Sequence, residues 1–76
     1  MRNIAATFRL GSYVLDVVEI SHPVYPEAKQ WMPEIARDLG HGQRGRPVWD
    51  GSRSYTDLQS AIDVGRARLN ELAREG

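Results

Sequence analysis

The sequence predicts an α+β fold: an antiparallel sheet of three or four strands with two helices on one face, in the order β-β-α-β-α, forming a single domain over residues 1–76. Three observations carry that expectation. Residues 4–10 alternate apolar and polar side chains and run into Gly11-Ser12. Residues 28–39 place apolar side chains at helical spacing. Thr56-Asp57-Leu58-Gln59 opens a long amphipathic stretch after the polar turn Asp50-Gly51-Ser52.

Residues 4–20 read as a hairpin. Ile4, Ala6, Phe8 and Leu10 alternate with Ala5, Thr7 and Arg9, the period of a half-buried strand. Gly11-Ser12 offers a two-residue type II′ turn, with Gly where φ is positive. That turn sets Leu10 against Tyr13, Phe8 against Leu15, Ala6 against Val17 and Ile4 against Glu19, which makes one face almost wholly apolar. The second face is mixed and leaves Val14, Val18 and Ile20 over. Those three need a cover or a partner.

Ser21 to Pro26 is a connector, with Pro26 suited to the first turn of a helix. Ala28, Trp31, Met32, Ile35, Ala36 and Leu39 then form a helical stripe that Pro33 interrupts in phase, and Gly40 suits the position just past a helix end. His41 to Pro47 reads as a polar loop, Val48-Trp49 as a short strand, Asp50-Gly51 as a turn and Arg53-Ser54-Tyr55 as a short returning strand. In the last helix Thr56 and Gln59 make a capping box. Leu58, Ala61, Ile62, Gly65, Leu69, Leu72 and Ala73 supply its apolar face, while Asp63–Arg66 and Arg68–Glu71 are i,i+3 pairs on the outer one. The expected core joins Ile4, Phe8, Leu10, Leu15 and Val17 to Trp31, Ile35, Leu39 and the apolar face of the last helix.

Size and composition limit what such a domain does. Seventy-six residues leave a marginal core and no room for a separate cofactor domain. The absence of cysteine excludes disulfide frameworks, thiolate catalysis and zinc–thiolate sites. No stretch approaches the length of an apolar membrane span, so the expectation is a soluble, cytoplasmic protein with no membrane contact. Ten basic and ten acidic residues cancel, which argues against general coating of nucleic acid. The basic set is nine arginines and only Lys29, a bias that suits interfaces and equally follows from a G+C-rich genome.

No catalytic constellation is visible. His22, Asp38 and His41 are not spaced as metal ligands on one helix face. No Gly-x-Ser-x-Gly elbow exists, and any carboxylate pair among Asp16, Glu19 and Glu34 has no supporting pattern. Gly40 to Gly45 is glycine-rich, but follows a helix and precedes a strand, the reverse of a phosphate loop. The expectation is no enzyme, no cofactor and no metal.

Arg44-Gly45-Arg46-Pro47 resembles the Arg-Gly-Arg-Pro core of the AT-hook family. The resemblance implies that Arg44 and Arg46 enter the minor groove of A·T-rich DNA while Gly45 and Pro47 shape the backbone. The usual basic flanks are absent. Arg44, Arg46, Arg53 and Trp49, with Tyr55, also make a patch of interface-enriched types. Together with Val14, Val18 and Ile20, these residues predict a non-enzymatic binding protein acting through protein–protein contacts. In size and style such a domain is similar to inhibitors of host machinery encoded by phages and mobile elements, anti-CRISPR proteins among them. Nucleic-acid contact through Arg44 to Pro47 is the alternative, and a homodimer burying the second sheet face is a third possibility.

Overall fold

The computed structural model describes residues 3–25 and 27–75. They form four strands, β1 (Asn3–Leu10), β2 (Tyr13–Ser21), β3 (Lys29–Gly40) and β4 (Gln43–Asp50), followed by one helix, α1 (Leu58–Glu75). The strands make one antiparallel sheet in the order β1-β2-β3-β4. The α+β class stands. The expected first helix is instead the central strand β3, so the order is β-β-β-β-α. The reading of Pro26 as a helix-start residue falls outside the described residues.

The first hairpin follows its turn. Gly11 has φ 61°, and Leu10, Phe8 and Ala6 pair with Tyr13, Leu15 and Val17. A bulge at Ala5 then shifts the register, so Ile4 pairs with Val18 rather than Glu19. One extra residue reverses the alternation, which moves Ile4 out of the expected apolar face onto the opposite one.

In β3 the pattern that looked helical is a strand whose apolar members also fit a period of two. Trp31, Pro33 and Ile35 share one face, and Met32, Glu34 and Ala36 the other. Pro33 is tolerated because of where its missing donor points. Trp31 exchanges both backbone bonds with Tyr55 at 2.8 Å, so the backbones of Trp31 and Pro33 turn away from β2. The last β4 partner is Asp50, opposite Glu34, and the Pro33 carbonyl accepts from Gly51 N–H at 3.0 Å. A proline here takes no bond from the β2 ladder, whereas in a helix interior it costs about 3 kcal/mol. The expected returning strand at Arg53–Tyr55 reduces to the single bridge between Tyr55 and Trp31.

The expected loop from His41 to Pro47 is mostly β4. His41 and Gly42 have φ 54° and 76°, positive at both positions as a two-residue type I′ turn requires. The strand resumes at Gln43, with several register shifts against β3.

Helix α1 starts one residue later than the capping box implies. Asp57, not Thr56, is the cap: Ser60 N–H and Ser60 Oγ both donate to Asp57 Oδ2 at 2.9 Å. Gln59 is turned outward to Asp63. The expected Asp63–Arg66 pair does not form, because Arg66 lies over the Phe8 ring; the Arg68–Glu71 pair forms at 2.7 Å.

The helix packs on β1, β2 and β3 through Ala61, Gly65 and Leu69. Leu15, Ile35 and Leu69 are the buried centre, ringed by Phe8, Tyr13, Trp49 and Leu72. Leu10 and Leu39, expected in the core, lie at hairpin ends and are 41% and 58% exposed. Gly65 sets the depth of the helix. A Cβ there would lie 2.7 and 2.9 Å from the Leu15 methyls and 3.1 Å from Pro33 Cβ. Leu15 is fully buried and the Pro33 ring is rigid, so neither gives way easily.

Gly65→Ala therefore lowers stability by about 1 kcal/mol, because overpacking outweighs the gain in helix propensity. Urea unfolding reads this as a lower midpoint with an unchanged slope. A raised midpoint would contradict the close approach.

Candidate functional site: the open face of the sheet

Leu15, Ile35 and their alternates face α1. The opposite face carries Ile4, Thr7, Arg9, Val14, Asp16, Val18, Ile20, Glu34, Ala36 and Asp38, with no helix over it among the described residues. Even so, Val14, Asp16, Val18 and Ala36 are each less than 8% exposed.

Two arginines strap this face. Arg9 on β1 reaches over β2 to β3, where its Nε lies 3.3 Å from Asp38 Oδ2. Arg44 on β4 reaches over β3 to β2, where its Nη2 donates to Asp16 Oδ1 at 3.0 Å. Its Nε also sits against Asp16 Oδ2, a charge contact off the hydrogen-bond axis. Each arginine thus spans a neighbouring strand to set its charged head against a carboxylate.

Asp16 is the centre of the arrangement. It is 3% exposed in the middle of Val14-Leu15-Asp16-Val17-Val18. A carboxylate taken out of water this far needs charge and hydrogen bonds to compensate. Thr7 Oγ1 supplies a bond at 2.8 Å from β1, and Arg44 supplies the charge from β4. Beside this group lies a groove of 360 Å³ lined by Ile4, Asp16, Glu34, Ala36, Arg44 and Pro47.

The residues singled out by sequence are divided by this geometry. Arg44 is a strap, not a free side chain, and Arg44-Gly45-Arg46-Pro47 lies within β4 rather than in an extended hook. Arg46 is exposed and makes no ion pair among the described residues. Arg53 is exposed and stacks on Tyr55, 4.9 Å from the ring centre. Trp49 pairs with Ile35 and packs on the core from the helix side, so the expected patch of Arg44, Arg46, Arg53 and Trp49 is split between faces. Val14 and Val18 are buried in the open face, and Ile20 is 42% exposed at its end.

Sequence reasoning missed Ile4, Thr7 and Asp16. The bulge that redirects Ile4 leaves no trace in composition. Asp16 did leave one: a lone acid inside five residues of otherwise apolar strand.

The histidines have local work. His22 Nδ1 accepts from the N–H groups of Val24 and Tyr25 at 3.0 and 3.1 Å. His41 forms the β3–β4 turn, and Asp38 is held by Arg9 and by Gly40 N–H. Among the described residues no three potential ligands cluster for a metal. No helix among them is long and apolar enough to cross a membrane. Comparison with protein-family models, curated proteins and solved structures finds no match.

Arg44→Ala leaves the Asp16 carboxylate buried without its cation and lowers stability by about 3 kcal/mol. Arg46→Ala changes it by less than about 0.5 kcal/mol. Chemical denaturation of the two variants checks the contrast, and equal effects would contradict the strap.

Proposed function

We propose that the chain is a non-enzymatic binding protein that acts through protein–protein contacts, and that the connector end of the open face is its contact surface. The observation that supports this is a group of exposed apolar side chains at that end. Ile4 and Ile20 are 48% and 42% exposed, and Val24 and Tyr25 on the adjoining connector are 68% and 59% exposed. Ile4 is paired with Val18, two residues from Ile20, so the isoleucines are diagonal neighbours on one face.

The connector presents its apolar groups from a built turn. His22 gathers the Val24 and Tyr25 N–H groups, and its ring lies 5.3 Å from that of Tyr25. Beside it a 230 Å³ hollow lined by Ile20, His22, Pro23 and Ala28 offers a partner side chain a place to enter. Clustered exposed apolar groups mark interaction sites, and tyrosine is enriched among residues that dominate binding energy. Inhibition of another protein by covering its working surface, in the manner of small phage-encoded inhibitors, is one form this activity takes.

The test is a pull-down from bacterial lysate, with nuclease-treated and high-salt arms and an Ile4→Thr/Ile20→Thr variant. A stoichiometric protein partner survives both arms and is held at least about tenfold more weakly by the variant. Binding lost with nuclease or salt would instead favour nucleic-acid contact through Arg46 and Arg53. Capture of only a second copy of the chain would favour the homodimer.

A further inference from the structure

The sheet has two edges, and they are not equivalent. Edge strand β4 carries Pro47 and several register shifts, devices that discourage a further strand from pairing. Edge strand β1 is regular from Ala6 to Leu10 and contains no proline. The direction of its free backbone groups follows from the sheet. The exchange between Trp31 and Tyr55 turns the backbones of Met32, Glu34 and Ala36 toward β2. Alternation then turns Tyr13, Leu15 and Val17 toward β1, and leaves the N–H and C=O groups of Thr7 and Arg9 pointing outward.

Helix α1 runs alongside this edge. Arg66 lies over the Phe8 ring at 5.3 Å, and Ala73 Cβ is 4.0 Å from where a Gly11 Cβ would be. Three strand residues and seven helix residues each advance about 10 Å, so strand and helix keep pace in the same direction. Two adjoining hollows of 150 and 490 Å³ lie between them and share Leu10 and Asn70. Arg66 stands at one end and Arg74 at the other. No carboxylate lines either hollow, and neither arginine has a carboxylate partner among the described residues. The Arg9 side chain is on the other face, committed to Asp38.

We propose that this groove binds an extended acidic segment of another protein by strand addition to β1, with two carboxylates flanking one apolar residue. The main chain of the segment bonds to Thr7 and Arg9. Its alternate side chains point into the groove. Positions p and p+4 of a strand are about 13 Å apart, and Arg66 and Arg74 are about 12 Å apart along the helix. Acids at p and p+4 therefore meet the two arginines, and an apolar side chain at p+2 meets Leu10, Leu69 and Asn70. A second copy of β1 fits poorly, because the side chains it would turn into the groove, Ala6, Phe8 and Leu10, include no carboxylate for either arginine. The site is distinct from the connector end and does not rest on the reading given there.

The probe is the capped peptide Thr-Glu-Thr-Val-Thr-Glu-Thr, titrated into the isotope-labelled protein and followed by NMR and amide hydrogen exchange. Binding slows exchange of the Thr7 and Arg9 amides and shifts Arg66, Asn70 and Arg74. Arg66→Gln/Arg74→Gln, or replacement of both peptide glutamates by glutamine, weakens it at least about tenfold. Arg9→Pro, which removes an outward N–H, weakens it relative to Arg9→Ala. Ile4→Thr/Ile20→Thr leaves it unchanged, which separates this site from the connector end. No binding at millimolar peptide, shifts confined to other surfaces, or equal affinity for the glutamine peptide would overturn the proposal. So would Thr7 and Arg9 amides that become protected by self-association alone.

Discussion

The buried carboxylate of Asp16 governs the face that the helix cannot reach. The described residues offer one helix to place on a four-stranded sheet, so one face must be closed by other means. Asp16 closes it by drawing Thr7 from β1 and Arg44 from β4 onto β2, across the whole width of the sheet. An isolated charge at that depth would be prohibitive, so β4 cannot leave without stranding it. A slip of β4 by one residue would turn Arg44 to the other face of the sheet, away from Asp16.

Helix and strap divide the molecule between them. Gly65 lets α1 sink onto Leu15 and Pro33, which centres the apolar core on β2 and β3. The straps from Arg9 and Arg44 cover the middle of the other face. Two of the places left uncovered lie at the periphery: the connector end, with Ile4 and Ile20, and the β1 edge beside the second half of the helix. Both candidate binding surfaces are thus consequences of how far one helix and two arginines extend.

The parts of the fold set by neighbours in sequence were legible. Gly11-Ser12 gave the first turn and, through it, the register from Leu10 to Ala6. The amphipathic stretch after Tyr55 gave α1, displaced by one residue because the Asp57 carboxylate is the group that caps Ser60. Residues 28–39 were misread because Trp31 and Ile35 satisfy a period of four and a period of two alike. Pro33 held the answer, since a proline that strains a helix costs a strand no bond to β2 when its nitrogen faces away from that strand. The open face was legible only in part. Val14 and Val18 read as surplus apolar groups because the side chains that cover them come from β1 and β4. A contact such as Asp16–Arg44, separated by 28 positions, has no local signature. Ile4 changed faces through a bulge that no residue type announces.

The most direct test is a double-mutant cycle on Asp16→Ala and Arg44→Ala, with each variant and the pair unfolded in urea at neutral pH. If the two side chains lock β4 across the sheet, the double variant loses less than the sum of the single losses, by more than about 1.5 kcal/mol. Additive losses, with coupling near zero, would mean that the strap is incidental and that the open face is held by its backbone ladder alone.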